Sequence, residues 1–221
     1  MNTLTHYLEQ YALLSLEKQD KLAHVVGEHL FQIDLDAGTV SFGDLELPYQ
    51  VLGTESYNTL TWLWAWAEEQ PEIPEELVST AQALKDWGAR AGIQEFTVPS
   101  VAIDKIDGHA FALIASEVCK TSCFYRDAYE GGALFVLLFD KRIDNQPPFD
   151  LTRLSNHFLD MIERYTFNHR NMLLAYLGVK GITALTLDHR ITCKLATGET
   201  LSAEFDEAGR ILLLNGVPVE A

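Results

Sequence analysis

Phe31-Gln32-Ile33-Asp34-Leu35-Asp36-Ala37-Gly38-Thr39-Val40-Ser41-Phe42 alternates apolar and polar side chains on both sides of one turn. Phe31, Ile33 and Leu35 share a face of an extended chain. Asp36-Ala37-Gly38 reverses it, and Val40 and Phe42 resume the period of two. Gly43-Asp44 reads as a second turn before an apolar run over residues 45–52. After Gly53 and polar residues to Asn58, another run covers residues 60–67. These four segments predict an antiparallel four-strand meander.

Helical spacing surrounds it. Residues 1–29 carry Leu4, Leu8 and Tyr11, then Leu22, Val25, Val26 and His29, with a break allowed at the polar stretch 17–21. Beyond the meander, residues 68–76 form an acidic loop with two prolines. Pro74, Glu75 and Glu76 suit a first helical turn, since acidic side chains there oppose the helix dipole. Leu77, Ala81, Leu84 and Trp87 make one stripe, and Gly92 sits where a C-terminal cap belongs. A further helix is expected over 107–118. Strands over 123–127 and 133–139 flank the turn Glu130-Gly131-Gly132. Leu151, Leu154, Phe158, Met161, Tyr165 and Met172 then predict one long helix reaching residue 177. Four short strands, near 183–187, 191–195, 200–205 and 210–214, predict a C-terminal antiparallel meander. The fold class is therefore α+β, read as a single domain over 1–221. Asn145-Gln146-Pro147-Pro148 is the strongest linker signal, and its alternative division is 1–144 and 149–221.

The 221 residues hold 32 acidic and 16 basic side chains, a net charge of −16. Nucleic acid and anionic membrane surfaces are poor partners for such a chain, because binding phosphate needs clustered cations. Hydrophobic residues at 48% and aromatics at 10% exclude a disordered acidic chain. The N-terminus shows no secretory signal pattern, no stretch is apolar over the ~18 residues of a membrane span, and three cysteines lack framework spacing. Soluble and cytoplasmic is the expectation. The charge is uneven: residues 1–100 hold 16 carboxylates and 4 basic groups, and residues 22–84 contain no Lys or Arg against 11 carboxylates. That concentration suggests an acidic N-terminal face suited to a basic protein partner.

Few residues announce chemistry. In Trp62-Leu63-Trp64-Ala65-Trp66 the period of two puts three indoles on one face. They are read as core, because Leu63 and Ala65 make the other face apolar as well. The alternative is a platform for a small ligand, with Tyr125 or Arg126 at its rim. His24-Val25-Val26-Gly27-Glu28-His29 has one residue too many for a zinc-helix motif, and two ligands on one helix define no site. Cys119 and Cys123 are four apart, not the three of a redox or zinc pair, and read as buried thiols. His157, Asp160 and Glu163 fit a solvated helix face. No nucleophile elbow, phosphate-binding loop, dinucleotide fingerprint or calcium loop is present, and no cofactor or metal is expected.

Asp34-Leu35-Asp36-Ala37-Gly38-Thr39-Val40-Ser41-Phe42, Val51-Leu52-Gly53-Thr54-Glu55-Ser56 and Thr61-Trp62-Leu63-Trp64-Ala65-Trp66-Ala67 resemble a bacterial family of uncharacterised proteins, a domain of unknown function. Phe124-Tyr125-Arg126 and Gly131-Gly132-Ala133-Leu134-Phe135-Val136-Leu137-Leu138 are similar to its second block, so the resemblance covers roughly residues 30–140. It implies no reaction, ligand or catalytic residue. The reading is a bacterial, non-catalytic binding or protein-interaction protein with an acidic N-terminal face. The alternative is a small-ligand-binding protein or enzyme with a pocket near Trp62, Trp64 and Trp66, and Tyr125 and Arg126 beside it.

Overall fold

The 12-residue strand over Leu45–Ser56 has β-branched, aromatic and leucine side chains on both faces, and it becomes the spine of the larger of two sheets. A computed structural model describes residues 3–27, 31–67, 73–104 and 106–219. The elements in chain order are α1 (Leu4–Val26), β1 (Phe31–Asp34), β2 (Thr39–Phe42), β3 (Leu45–Ser56) and β4 (Thr61–Trp64). They continue with α2 (Ser79–Ala91), β5 (Ser100–Ala102), α3 (Gly108–Val118), β6 (Cys123–Tyr129), β7 (Gly132–Leu138) and α4 (Lys141–Asp144). Last come α5 (Leu151–Arg164), α6 (His169–Val179), β8 (Ala184–Leu187), β9 (Arg190–Lys194), β10 (Thr200–Phe205), β11 (Ile211–Leu214) and β12 (Val217–Pro218).

The chain is α+β and forms two compact units, Met1–Leu4 with Lys18–Gln146, and Thr5–Glu17 with Pro147–Ala221. Their boundary falls inside the Asn145-Gln146-Pro147-Pro148 segment. No helix among the described residues is long and apolar enough to cross a membrane.

In the first unit the expected meander is present and antiparallel throughout, β1-β2-β3-β4, and it is extended by β5 after β4. The β6–β7 hairpin joins the same sheet, because β7 pairs with Tyr49–Ser56 of β3. One face of the sheet is covered by α3, eight of whose eleven residues are buried, as suits a helix apolar on most sides. Trp62, Trp64, Phe111 and Phe135 are fully buried there, with ring centroids 5.2–5.4 Å apart, the spacing of favourable aromatic pairs. The opposite face holds Val40, Phe42, Leu47, Tyr49, Val51 and Val136 against Leu22, Leu77 and Ala81.

Several boundaries differ from expectation. The N-terminal helix runs unbroken through 17–21, because Glu17 is buried, not solvated. Pro74 caps a 3-10 turn over Glu75–Leu77, and the α-helix proper starts at Ser79 and ends at Gly92, left-handed at φ 74°. The strand expected over 60–67 stops at Trp64, where the Ala67 amide turns back to the Trp64 carbonyl at 2.9 Å. His29 lies outside the described residues.

In the second unit the five-strand sheet runs β12-β11-β10-β9-β8, and α5 and α6 are tied to its β11 end by Ser155–Asn215 and His169–Ile211 hydrogen bonds. Leu154, Phe158 and Met161 are the buried stripe of α5, while Ile191, Cys193, Leu201, Ala203, Phe205 and Ile211 fill the covered side of the sheet. The single long helix expected over 151–177 is two helices. Asn168 caps α6 by accepting the Asn171 amide at 2.9 Å, and its side-chain amide donates to the Ala208 carbonyl at 3.0 Å. A helix through this point would forfeit both bonds. Residues 5–17 belong here through Glu17, 1% exposed, whose carboxylate accepts from the Tyr176 hydroxyl at 2.6 Å and the Phe149 amide at 3.3 Å, and pairs with Lys180.

Candidate functional site at the tip of the larger sheet

Register brings two turns together. Ser56 lies opposite Thr61 on β4 and opposite Gly132 on β7, so turn 57–60 and turn 130–131 leave the sheet side by side. The Tyr57 amide donates to the Gly131 carbonyl at 2.9 Å. Gly131 holds φ 88°, and an ideal Cβ there would lie 3.0 Å from the Asn58 side chain, so the turn favours glycine. Three large side chains stand out from this tip: Tyr57 (42% exposed), Leu60 (57%) and Tyr129 (51%). Arg126 on β6 donates from Nη2 to the Tyr57 hydroxyl, with its guanidinium 6.0 Å from the Tyr57 ring and 5.9 Å from Phe135.

Behind the turns lies Glu55, 8% exposed, opposite Trp62 and Ala133. Its carboxylate meets the N-terminus of α3, where the Gly108 amide donates to it. Such a terminus offers free N–H groups and positive dipole. An ideal Cβ on Gly108 would sit 2.7 Å from Glu55 Oε2 and 2.8 Å from both Phe135 and the Trp62 ring, so only glycine lets the carboxylate reach the helix. Asp107, the N-cap, accepts the Ala110 amide at 3.0 Å. Burial first, and the Asp107 charge second, push the Glu55 carboxyl above its ordinary value, while the Gly108 amide and Arg126 act the other way. His109 places Nδ1 4.0 Å from Asp107 Oδ2 and its ring edge-on to Phe135 at 5.4 Å. Two carboxylates with exposed aromatic rings beside them can hold a cation, because added positive charge relieves the repulsion between them.

The residues singled out from sequence are distributed differently. Arg126 and Trp62 come to this site, Trp62 through the ring edge beside Gly108. Trp64 is fully buried deeper in the aromatic cluster, its Nε1 donating to the Glu95 carbonyl at 2.9 Å. Trp66 follows the end of β4 and does not share a face with Trp62 and Trp64; it packs with the core on the other side of the sheet under Lys85 Nζ, 3.9 Å from the ring. Tyr125 also faces that other side, against Phe31 and Phe42 at 5.0 and 5.1 Å, because neighbours in a strand point oppositely. Cys119 is half-buried with its thiol pushed up to about 11, and Cys123 is buried and pushed higher, both by desolvation first. No group of three His, Cys, Asp or Glu among the described residues is disposed to hold a metal. Sequence reasoning missed Glu55, Asp107, Tyr57 and Tyr129. The available signals were a lone carboxylate inside an apolar strand and Asp107-Gly108 at a helix start.

Comparison with known proteins adds one finding. A family model, described as a family of unknown function (DUF6882), matches residues 5–141. That stretch contains Glu55, Tyr57, Asp107, Arg126 and Tyr129. No curated protein and no solved structure matches the chain. With well over half of its length matched, the chain belongs to the DUF6882 family.

Proposed function

We propose that the chain is a non-catalytic binding protein of the bacterial cytoplasm that receives a basic protein partner on the acidic surface of its family-matched unit. The contact is the sheet tip. The observation that carries this reading is Glu55, a carboxyl only 8% exposed that meets the Asp107–Gly108 start of α3 directly behind exposed Tyr57 and Tyr129. Carboxyls with shifted pKa cluster at functional sites, and Tyr and Arg are enriched among residues that dominate interfaces. Carboxylates on the same unit, towards the other end of β3, add a long-range field that favours a cation. Asp34, Asp36, Asp44, Glu46, Glu75 and Glu76 are exposed, with no ion pair to any of them among the described residues. Such a field steers a basic partner and is screened by salt.

Fluorescence anisotropy with a labelled oligolysine peptide tests the reading. Binding should weaken steeply as salt rises, and Tyr57→Ala with Tyr129→Ala should reduce affinity about tenfold, ~1.4 kcal/mol. Affinity indifferent to both salt and the tyrosines would sink it.

A second reading, a small-ligand site or enzyme pocket on the tryptophan face, draws on two buried donors. Trp62 Nε1 and Arg126 Nε have no hydrogen-bond partner among the described residues, a condition costing ~1–3 kcal/mol per group that an acceptor-bearing ligand would offset. Arg126→Lys, which removes that donor and keeps the charge, separates the readings: oligolysine binding should survive it.

A further inference from the structure

The five-strand sheet of the second unit has two unlike edges. At one end β12 is two residues long and ends in Pro218, which has no N–H to offer a neighbour. At the other end β8 has no such protection. Residues 181–187, Gly-Ile-Thr-Ala-Leu-Thr-Leu, contain no charge and no proline, and Leu185 and Leu187 are 70% and 69% exposed. The β8–β9 hairpin closes through Leu187 opposite Arg190 around a two-residue turn, with Asp188 at φ 51°. In that geometry Leu187 and Leu185 exchange backbone hydrogen bonds with β9, while the N–H and C=O groups of Ala184 and Thr186 point to the free edge. No other backbone hydrogen bond engages these two residues among the described ones.

We infer that β8 is a homotypic docking edge, pairing antiparallel with β8 of a second copy into one continuous sheet. An open backbone edge specifies a strand as its occupant, and the lack of charge over 181–187 makes the segment its own complement in a chain that is otherwise strongly acidic. Centring the two-fold axis on Leu185 uses every outward group: Thr186 bonds Ala184 of the other copy, and Leu187 lies opposite Thr183. Leu185 then faces Leu185 of the other copy, with each Leu187 diagonal to it on the same face. This is an isologous contact, so it closes at a dimer and does not propagate. The strand is 4 residues long, against roughly 20–30 residues a side in a standard interface, so association depends on concentration.

Two measurements on the full chain decide it. Sedimentation velocity over a roughly hundredfold concentration range should show a monomer–dimer equilibrium. Thr186→Pro, which deletes an outward N–H without touching the β9 ladder, and Leu185→Lys should each leave a monomer. Residues directly opposite in such a pair approach to about 4.5 Å between Cα atoms, within disulfide reach. Leu185→Cys should therefore cross-link under mild oxidation, losing two thiol protons and two electrons to the added oxidant, far more than Leu187→Cys or the wild-type cysteines. A wild-type monomer at every concentration, a dimer that survives both edge variants, or equal cross-linking at 185 and 187 would each overturn the inference.

Discussion

Burial on β3 and the neighbouring Asp107 both favour the protonated form of Glu55, so the native state holds that proton more tightly than the unfolded chain does. Stability attributable to this group is therefore gained as pH falls towards the ordinary carboxyl value of 4.5 and is lost as pH rises through the raised one. Glu55→Gln removes the titratable group yet keeps an oxygen for the Gly108 amide. It should unfold at an equal or higher urea concentration at pH 7, while oligolysine binding weakens about tenfold. A variant that loses stability and keeps its affinity would make Glu55 a structural residue. The sequence shows a carboxylate at this position, but it cannot show Asp107 and Gly108 folding onto it from beyond two strands and a helix. Tyr57 and Tyr129 were illegible for the same reason: each looks like an ordinary turn residue until β3–β7 register sets the turns together.

Among elements, local chemistry was legible where one signal dominated. Gly92 marked the end of α2, the period of two found β1 and β2, and Asp107 lies at the start of α3. It was illegible where tertiary bonds overrode a continuous pattern. The apolar stripe of α5 carries on into α6, but Asn168 exchanges helix continuity for its own cap and the Ala208 carbonyl, a bond formed only once β10–β11 is in place. Likewise β5 is three residues, too short for any period to show. The same α6 start carries a pH dependence. His169 Nδ1 accepts the Ile211 amide at 3.1 Å, and burial lowers its pKa below the ordinary 6.5, with Asp206 opposing and Arg210 reinforcing the shift. The unfolded chain thus takes up the proton first. Stability should fall as pH drops below about 6.5, by at most ~1.4 kcal/mol per pH unit, until the native imidazole also titrates. Comparing wild type with His169→Gln by urea unfolding between pH 5 and 7 isolates this slope; identical slopes would show that His169 does not couple to folding.

For the whole molecule, the net charge of −16 argued only against polyanions when taken as a total. Its distribution acquires meaning from the fold. The stretch without Lys or Arg supplies β1 to β4 and the 3-10 turn before α2, so the exposed carboxylates fall on the same unit as the Glu55 tip. The tryptophan-rich strand, the most unusual segment of the sequence, places two of its indoles at the centre of the aromatic core, and its contribution to the tip is one ring edge under Glu55. Hydrogen–deuterium exchange of the full chain with and without saturating oligolysine tests the binding tip most directly. Protection should appear in residues 55–61 and 126–132 and diminish at high salt. Peptide binding that leaves both segments unprotected, or that protects only the second unit, would contradict the assignment.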